Sequence, residues 1–332
     1  MSMVKVAKMA KVSQATVSRV FNGNPTVSRE SVENVKRAAA LLGYKAKRKP
    51  RTSTSGVLKV AAISLGSEEM AAFFGGHSIC IEKIERELAK NNVELLRFNV
   101  TDVASIPAVI LSGEVSGLIL TGYTLDFEVL EKLESFPKVW LNSHTTKDGD
   151  VILPGNVEIG KLALDYFLKR GHSKLGVLNA YLANPAVVSR CEYFKHAASL
   201  AGVKVTDFIY KGLKSQNWQE FEQNVEVLVK EFIKSDNRPT AVFVPVDTEV
   251  ALVYRFFTKY GIKIGKGGVE ILGCDNDTAT RVALYPRPST IDIGTEILIR
   301  QAVQLLLWRI ESPNVDRNIS IVVEPKLILG EV

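Results

Sequence analysis

A chain of 332 residues, 46% hydrophobic and 23% charged, has the composition of a soluble globular protein with room for two or three compact domains. No apolar run approaches the roughly 18 residues of a membrane helix. The polar N-terminus reads as no secretory signal, and three scattered cysteines (Cys80, Cys191, Cys274) point to a reduced, cytoplasmic setting. The net charge of +6 is unevenly placed: residues 1–55 carry +10 and the remainder −4, so a basic head suited to a polyanion precedes a mildly acidic body.

Three short helices are predicted first. From about Ser2 to Ala10, Met3, Val6, Ala7 and Ala10 recur at helical spacing. From Ser13, a natural N-cap, to Asn22, the residues Val17, Val20 and Phe21 share one face. Asn22-Gly23-Asn24-Pro25 makes a turn, after which Ser28 caps a third helix bearing Val32, Val35, Ala39 and Leu42 and stopped by Gly43. Residues 45–56, dominated by Lys, Arg, Pro, Ser and Thr, form a basic linker. Beyond it, β-rich runs at 57–64, 93–98, 117–121, 138–142, 174–179, 207–210, 241–245, 269–273 and 319–323 alternate with helical patterns at 77–90, 158–170, 189–201, 220–234, 247–260 and 294–310. Such alternation builds parallel sheets with right-handed crossovers, and two lobes of four or five strands each are expected rather than one very wide sheet.

At about 100° per residue, Gln14, Ala15, Ser18 and Arg19 fall on an arc opposite the Val17–Val20–Phe21 face. The polar arc is shaped to enter a major groove while the apolar face anchors the helix. Arg19 can donate a bidentate pair to guanine, and Gln14 can read adenine. Ser13, Thr16, Ser18 and Asn22 are short donors suited to phosphates. A three-helix solubilising domain is the alternative. The run 6–44, with ATVSRVFNG (15–23), VS (27–28) and LGY (42–44), closely resembles the helix-turn-helix head of the lactose-repressor (LacI/GalR) family. The resemblance implies base reading by Gln14, Ala15 and Arg19 and phosphate contacts by Ser13, Thr16, Ser18, Asn22 and Ser28. Two departures stand out. Lys11 replaces the family's turn glycine, where a left-handed backbone would cost an L residue about 1 kcal/mol. The family's hinge helix, with its minor-groove leucine wedge, maps onto Ala46, Lys47, Pro50 and Ser53; Ser53 takes the leucine's place, and Pro50 opposes a helix. Lys45, Lys47, Arg48, Lys49 and Arg51 are instead expected as a basic tether on phosphates, with an incidental solvated linker as the alternative.

The resemblance continues through NVEIGKLALDYFLKRGHSKLGVL (156–178), SRCEYFKHAASLAG (189–202), RPTAVFVPVD (238–247), ILGCDN (271–276) and PRPSTIDI (286–293). It implies a two-lobed periplasmic-binding-protein type I core that clasps a small molecule. The chain is expected to recross near 155, 288 and 318, giving lobe 1 as about 57–154 and 289–317, and lobe 2 as about 155–288 and 318–332. Ligands in α/β lobes sit beyond the carboxyl ends of strands. There Asn142 ends one strand, Asp247 and Asp275 follow two others, and Arg190 is expected to open a helix. The resemblance places Asn142, Arg190 and Asp275 at effector-contacting positions, Arg190 and Asp275 projecting from opposite sides of one cleft. An internal salt bridge is the alternative for that pair. Phe73, Phe74 and Trp218 are candidate apolar walls, with core packing as the alternative. Val246 replaces a family asparagine before Asp247.

The fold class is therefore α/β, an all-α helix-turn-helix head (1–44) on a two-lobed core (57–332) with parallel sheets. The expected function is sequence-specific transcriptional regulation, in the repressor manner of the family. A homodimer would bind near-palindromic double-stranded operator DNA under control of a small effector, a sugar or sugar derivative. A periplasmic-type solute receptor and an α/β enzyme with a basic head are the rivals. Catalysis has little support: His77, His144, His172 and His196 are isolated, Gly265–Gly268 is not a phosphate loop, and no metal or cofactor is expected.

Overall fold

A computed structural model describes residues 3–21, 27–42, 57–66, 76–122, 127–143, 149–181, 184–212, 215 and 217–331. The head is α1 (Met3–Ala10), α2 (Gln14–Phe21) and α3 (Arg29–Leu41). Their apolar stripes meet in a small core of Val6, Ala7, Ala10, Val17, Val20, Val35, Ala38 and Ala39. Two short caps set the helix starts. Ser13 Oγ accepts the Thr16 N–H at 3.0 Å, and Ser28 Oγ accepts the Ser31 N–H at 3.3 Å. At the end of α1, Lys11 adopts φ 54°, the Val12 N–H reaches back to Ala7 O at 3.0 Å and the Lys11 N–H to Lys8 O at 3.4 Å. This is a Schellman turn with a lysine where glycine is usual. The linker 45–56 lies outside the described residues.

The first lobe is a six-stranded, wholly parallel sheet. It holds β1 (Leu58–Leu65), β2 (Val93–Val100), β3 (Gly117–Gly122), β4 (Lys138–Leu141), β5 (Asp150–Pro154) and, from the far end of the chain, β11 (Ser320–Val323). Helices α4 (Gly76–Ala89) and α12 (Thr295–Glu311) pack together on one face. The short α5 (Ala108–Leu111) and α6 (Phe127–Leu133) cover the other. The second lobe orders its strands β12-β10-β9-β8-β6-β7, with only β12 antiparallel. These are β6 (Leu175–Asn179), β7 (Val205–Ile209), β8 (Ala241–Phe243), β9 (Glu270–Cys274), β10 (Ser289–Asp292) and β12 (Lys326–Ile328). Its helices are α7 (Asn156–Lys169), α8 (Pro185–Leu200), α9 (Trp218–Lys234), α10 (Asp247–Lys259) and the short α11 (Thr278–Val282). Because helices cover both faces, the central strands are apolar throughout. Val177, Phe243 and Leu272 point toward α7 and α8, while their neighbours Leu178, Val242 and Ile271 point toward α9 and α10.

Each lobe has six strands, not four or five. The additional strands are β5, β10 and β12, of 3–5 residues each. The expected lobe limits need correction. Residues 289–292 pair with β9 in the second sheet, and 320–323 pair with β5 in the first. The crossings therefore fall at 155, 293–294 and 324–325 rather than near 288 and 318. Local apolarity marks 319–323 as a strand, but neither segment carries information about which sheet edge receives it.

One buried ion pair locks the α12 crossing onto the first sheet. Arg309 donates from Nε and Nη2 to Asp150 at 2.7 and 2.6 Å, and to the carbonyls of Val315 and Arg317 at 2.9 and 2.8 Å. The Ile319 N–H completes the Asp150 carboxylate at 2.8 Å.

Candidate functional site

On the head, the apolar side of α2 is consumed by the core while Gln14, Ala15 and Arg19 are exposed and Ser18 is half-buried. The hydroxyls of Ser13 and Ser28, expected at phosphates, are engaged at the first turns of α2 and α3. A hydroxyl that accepts a cap bond still presents its oxygen at a helix N-terminus, where backbone donors favour an anion. Thr16 bonds Ser13 side chain to side chain at 2.9 Å. Asn22, Lys47 and Arg48 lie outside the described residues. The head thus presents one polar, cationic helix face on a packed three-helix base, the geometry of a major-groove reader.

In the second lobe, candidate side chains gather at the carboxyl ends of β6, β8 and β9. Arg190 does not open its helix: α8 starts at Pro185, capped by the Asn184 side chain on the Ala186 N–H at 2.9 Å. Arg190 therefore stands in the second turn, only 1% exposed. Its guanidinium donates to Asp275 Oδ1 at 2.8 Å, to the Pro245 carbonyl at 2.7 Å and to Asn156 Oδ1 at 3.3 Å. Arg190 and Asp275 thus belong to one lobe as an ion pair, not to opposite sides of a cleft. Asn156 is the first residue of α7, which Gly160 lets approach α8 closely: a Cβ there would lie 2.5 Å from Tyr193 backbone. The Asn-x-x-x-Gly spacing is what brings Asn156 to Arg190.

Asp275 follows β9 with φ 108°, a backbone rarely taken by an L residue, and Asn276 follows with φ 55°. The turn is pinned from beneath. The Asp275 N–H bonds Ile291 O at 2.9 Å, Arg281 donates to Asn276 Oδ1 at 2.7 Å, and the Asp277 N–H bonds Asp247 Oδ2 at 2.8 Å. Asp247 is 1% exposed and accepts the Thr290 hydroxyl at 2.9 and 3.0 Å on its two oxygens. Gly273 makes room for it, since a Cβ there would meet Asp247 Oδ1 at 2.1 Å. Its place in the structure is under the Asp275 turn. Burial, then the neighbouring Asp275 charge, pushes the Asp247 carboxyl well above the usual range. Burial likewise raises Asp275, and the Arg190 guanidinium offsets part of the rise.

Asp275 lies within electrostatic reach of Cys80 on α4 of the first lobe, whose thiol burial pushes up to about 11. In that lobe Asn142 sits directly after β4 with φ 52°, its N–H held by Ile152 O at 2.8 Å. Its Oδ1 is buried and has no hydrogen-bond partner among the described residues. Trp218, the first residue of α9, packs at 5.5 Å on Phe221 and is partly buried against the core of the second lobe. Phe73 and Phe74 lie outside the described residues. Sequence reasoning missed Asn156, Thr290 and the Pro245 carbonyl. All three sat within quoted motifs, but nothing local marks Thr290 or the Pro245 carbonyl as partners of Asp247 and Arg190. Among the described residues no cluster of His, Cys, Asp or Glu is arranged to hold a metal, and no helix is long and apolar enough to cross a membrane.

Two family models match this chain. That of the lacI family of bacterial regulatory proteins spans residues 2–47, and that of the periplasmic binding protein-like domain spans 164–331, half of the chain. The ribose operon repressor of Haemophilus influenzae is 28% identical over 342 residues, covering 99% of this chain and 98% of that protein. The transcriptional repressor PurR of Pasteurella multocida is 28% identical over 338 residues, covering 98% and 96%. Among solved structures, the transcriptional regulator CelR in complex with cellobiose superposes with a TM-score of 0.70 at 20% identity, over 100% of this chain and 99% of that one. The Lac repressor dimer bound to operator and the anti-inducer ONPF gives 0.67 at 20% identity, over 100% and 98%. A lacI-family regulator from Enterococcus faecium with bound ribose gives 0.67 at 20%, over 81% and 97%. The chain belongs to the lacI family of bacterial regulatory proteins. It is a DNA-binding transcriptional regulator whose head and two-lobed core divide operator recognition from effector binding.

Proposed function

We propose that this regulator represses transcription as a cytoplasmic homodimer on a near-palindromic operator, and that a sugar or sugar derivative bound at Arg190, Asp275 and Asn142 sets its affinity for DNA. Gln14, Ala15, Ser18 and Arg19 read base edges, while Ser13, Thr16, Asn22, Ser28, Lys47 and Arg48 hold phosphates. Two heads on a symmetric core meet two half-sites one helical turn or a multiple apart.

The observation that carries the effector reading is the Arg190–Asp275 pair at the carboxyl ends of the second-lobe strands. A guanidinium offers only donors and a carboxylate only acceptors, and Asn142 Oδ1 adds an acceptor from the first lobe. A vicinal diol, whose hydroxyls each donate and accept, satisfies such a set. Trp218 supplies apolar surface at the opening of α9, and Phe73 and Phe74, outside the described residues, are further candidates for apolar contact. Asp247 acts through Asp275, which it supports from below. The repressor and effector-bound relatives favour a binding protein over an enzyme. Ribose, named by one relative's operon and bound to one structural neighbour, is the first ligand to try, with cellobiose and xylulose beside it.

A ligand switches the dimer only if it binds one lobe arrangement more tightly than another. Calorimetry with D-ribose and operator titration by fluorescence anisotropy test this together. Arg190→Ala removes charged hydrogen bonds worth about 1.5–3 kcal/mol each, so ribose affinity should fall at least tenfold while ligand-free operator binding stays within twofold. Undiminished ribose binding to Arg190→Ala removes the residue from the site.

A further inference from the structure

Glu249 is the third residue of α10, a position where acids ordinarily face solvent and complement the helix dipole. Here the side chain is wholly buried and turned inward, toward the end of β6. Its Oε1 accepts the Ala180 N–H at 2.6 Å, immediately after the last residue of that strand. Its Oε2 is buried without a hydrogen-bond partner among the described residues, as is Nδ2 of the neighbouring Asn179, whose Oδ1 accepts the Tyr181 N–H at 2.8 Å. The three residues leaving β6 are therefore held by one side chain of their own and one reaching in from α10. That turn leads to Asn184, the cap of α8, and so to Arg190.

The groups around Glu249 offer it no counter-charge. On the facing helix α8 stands Cys191, whose thiol burial, and then Glu249 itself, push up. Arg190, beside it, is engaged with Asp275, Asn156 and the Pro245 carbonyl. From α9, Phe221 packs on the Tyr181 ring at 5.8 Å. Among the described residues no cation is paired with Glu249. Burial pushes its carboxyl up to about 8, against the smaller opposing effect of the Ala180 N–H. The neutral carboxyl fits the site. The ionised one is a buried charge with a single donor, and exposure of the turn to water relieves it.

We propose that Glu249 is a positioning residue for the effector site: it clamps Ala180 and Tyr181 as the chain leaves β6 on its way to α8, thereby setting where Arg190 stands, and the clamp releases when its carboxyl loses its proton. The functional half of this proposal rests on Arg190 as an effector contact; the clamp itself does not.

Hydrogen exchange of the segment 179–190 in the full-length protein, corrected for intrinsic rates and followed at pH 6.5 and pH 9, tests the clamp. A carboxyl near 8 in the closed turn and near its ordinary 4.5 in the opened one makes protection fall about tenfold per pH unit between those values and level off above 8, so from pH 6.5 to pH 9 the wild-type segment should lose about thirtyfold in protection. Glu249→Gln keeps both the acceptor and a neutral donor and cannot ionise on opening, so it should be at least as protected as wild type at pH 6.5, with no loss at pH 9. Glu249→Met should show about tenfold lower protection at both pH values, and Glu249→Gln decides the matter should the methionine variant not fold. Wild type and Glu249→Gln behaving alike at pH 9 overturns the proton-released clamp. Unchanged protection in a folded Glu249→Met overturns the positioning role. In calorimetry at pH 6.5, D-ribose should bind Glu249→Met about tenfold more weakly, with operator affinity within twofold of wild type. If D-ribose fails to bind wild type, the effector reading fails while the exchange data still judge the clamp.

Discussion

Replacing Lys11 with glycine should stabilise the DNA-binding head, and the protein contains its own controls. Among the described residues five helices end in the same turn, α5 doing so at Gly113 with φ 77° and the Glu114 N–H on Val109 O at 3.2 Å. After α7, α8 and α10 the left-handed residue is Gly171, Gly202 or Gly261, with φ of 81°, 70° and 69°. The closing bonds run from His172 to Phe167, Val203 to Ala198 and Ile262 to Phe257, at 3.0, 2.9 and 2.8 Å. After α1 the corresponding bond, Val12 to Ala7 at 3.0 Å, is as good, but the left-handed residue is Lys11 at φ 54°. An L side chain pays about 1–2 kcal/mol in that conformation. Glycine gives back about 0.4–1 kcal/mol through the greater freedom of the unfolded chain. Lys11→Gly should therefore stabilise the head by a net of about 0.5–1 kcal/mol. Read as hydrogen exchange of α1 and α2 amides in the full-length chain, this is about two- to fivefold more protection. Lys11→Ala removes the same exposed charge but keeps the conformational cost, so it should gain nothing. Equal protection in the glycine and alanine variants would show that charge, not backbone conformation, governs this position.

Arg309→Met should lower stability by about 3–5 kcal/mol, because Asp150 is left buried with only the Ile319 N–H; Arg309→Met with Asp150→Val should recover most of it, and a single variant within about 1 kcal/mol of wild type in urea unfolding would contradict the assignment. On DNA, Arg19→Ala should relax base preference at one operator position by about 1–3 kcal/mol, whereas Lys47→Ala should weaken all sequences alike and reduce the salt slope by about 1; an Arg19→Ala protein with unaltered preference in competition binding would displace the reading helix.

Much of the head was determined by the sequence alone, since its signals are local. Ser13 and Ser28 cap helices through bonds to residues three positions on, and the stripes of Val6, Ala7, Ala10, Val17, Val20 and Val35 close one small core. The main strands and helices of the core were equally legible, because strands covered on both faces are apolar runs and the covering helices are long. A strand does not encode its partner, however. Ser289–Asp292 and Ser320–Val323 look alike in sequence, and only their pairing with β9 and β5 decides which lobe each completes. The same holds at the site. Arg190 and Asp275 stand 85 positions apart, and the close approach of α7, α8 and the β9 turn makes them a pair rather than facing walls. Glu249 is the plainest case. In sequence it is an acid in a helix's first turn, a solvated position by any local rule. Only the packing of α10 against the end of β6 takes its carboxyl out of water, because burial and electrostatics depend on everything within several ångströms and not on the neighbours along the chain.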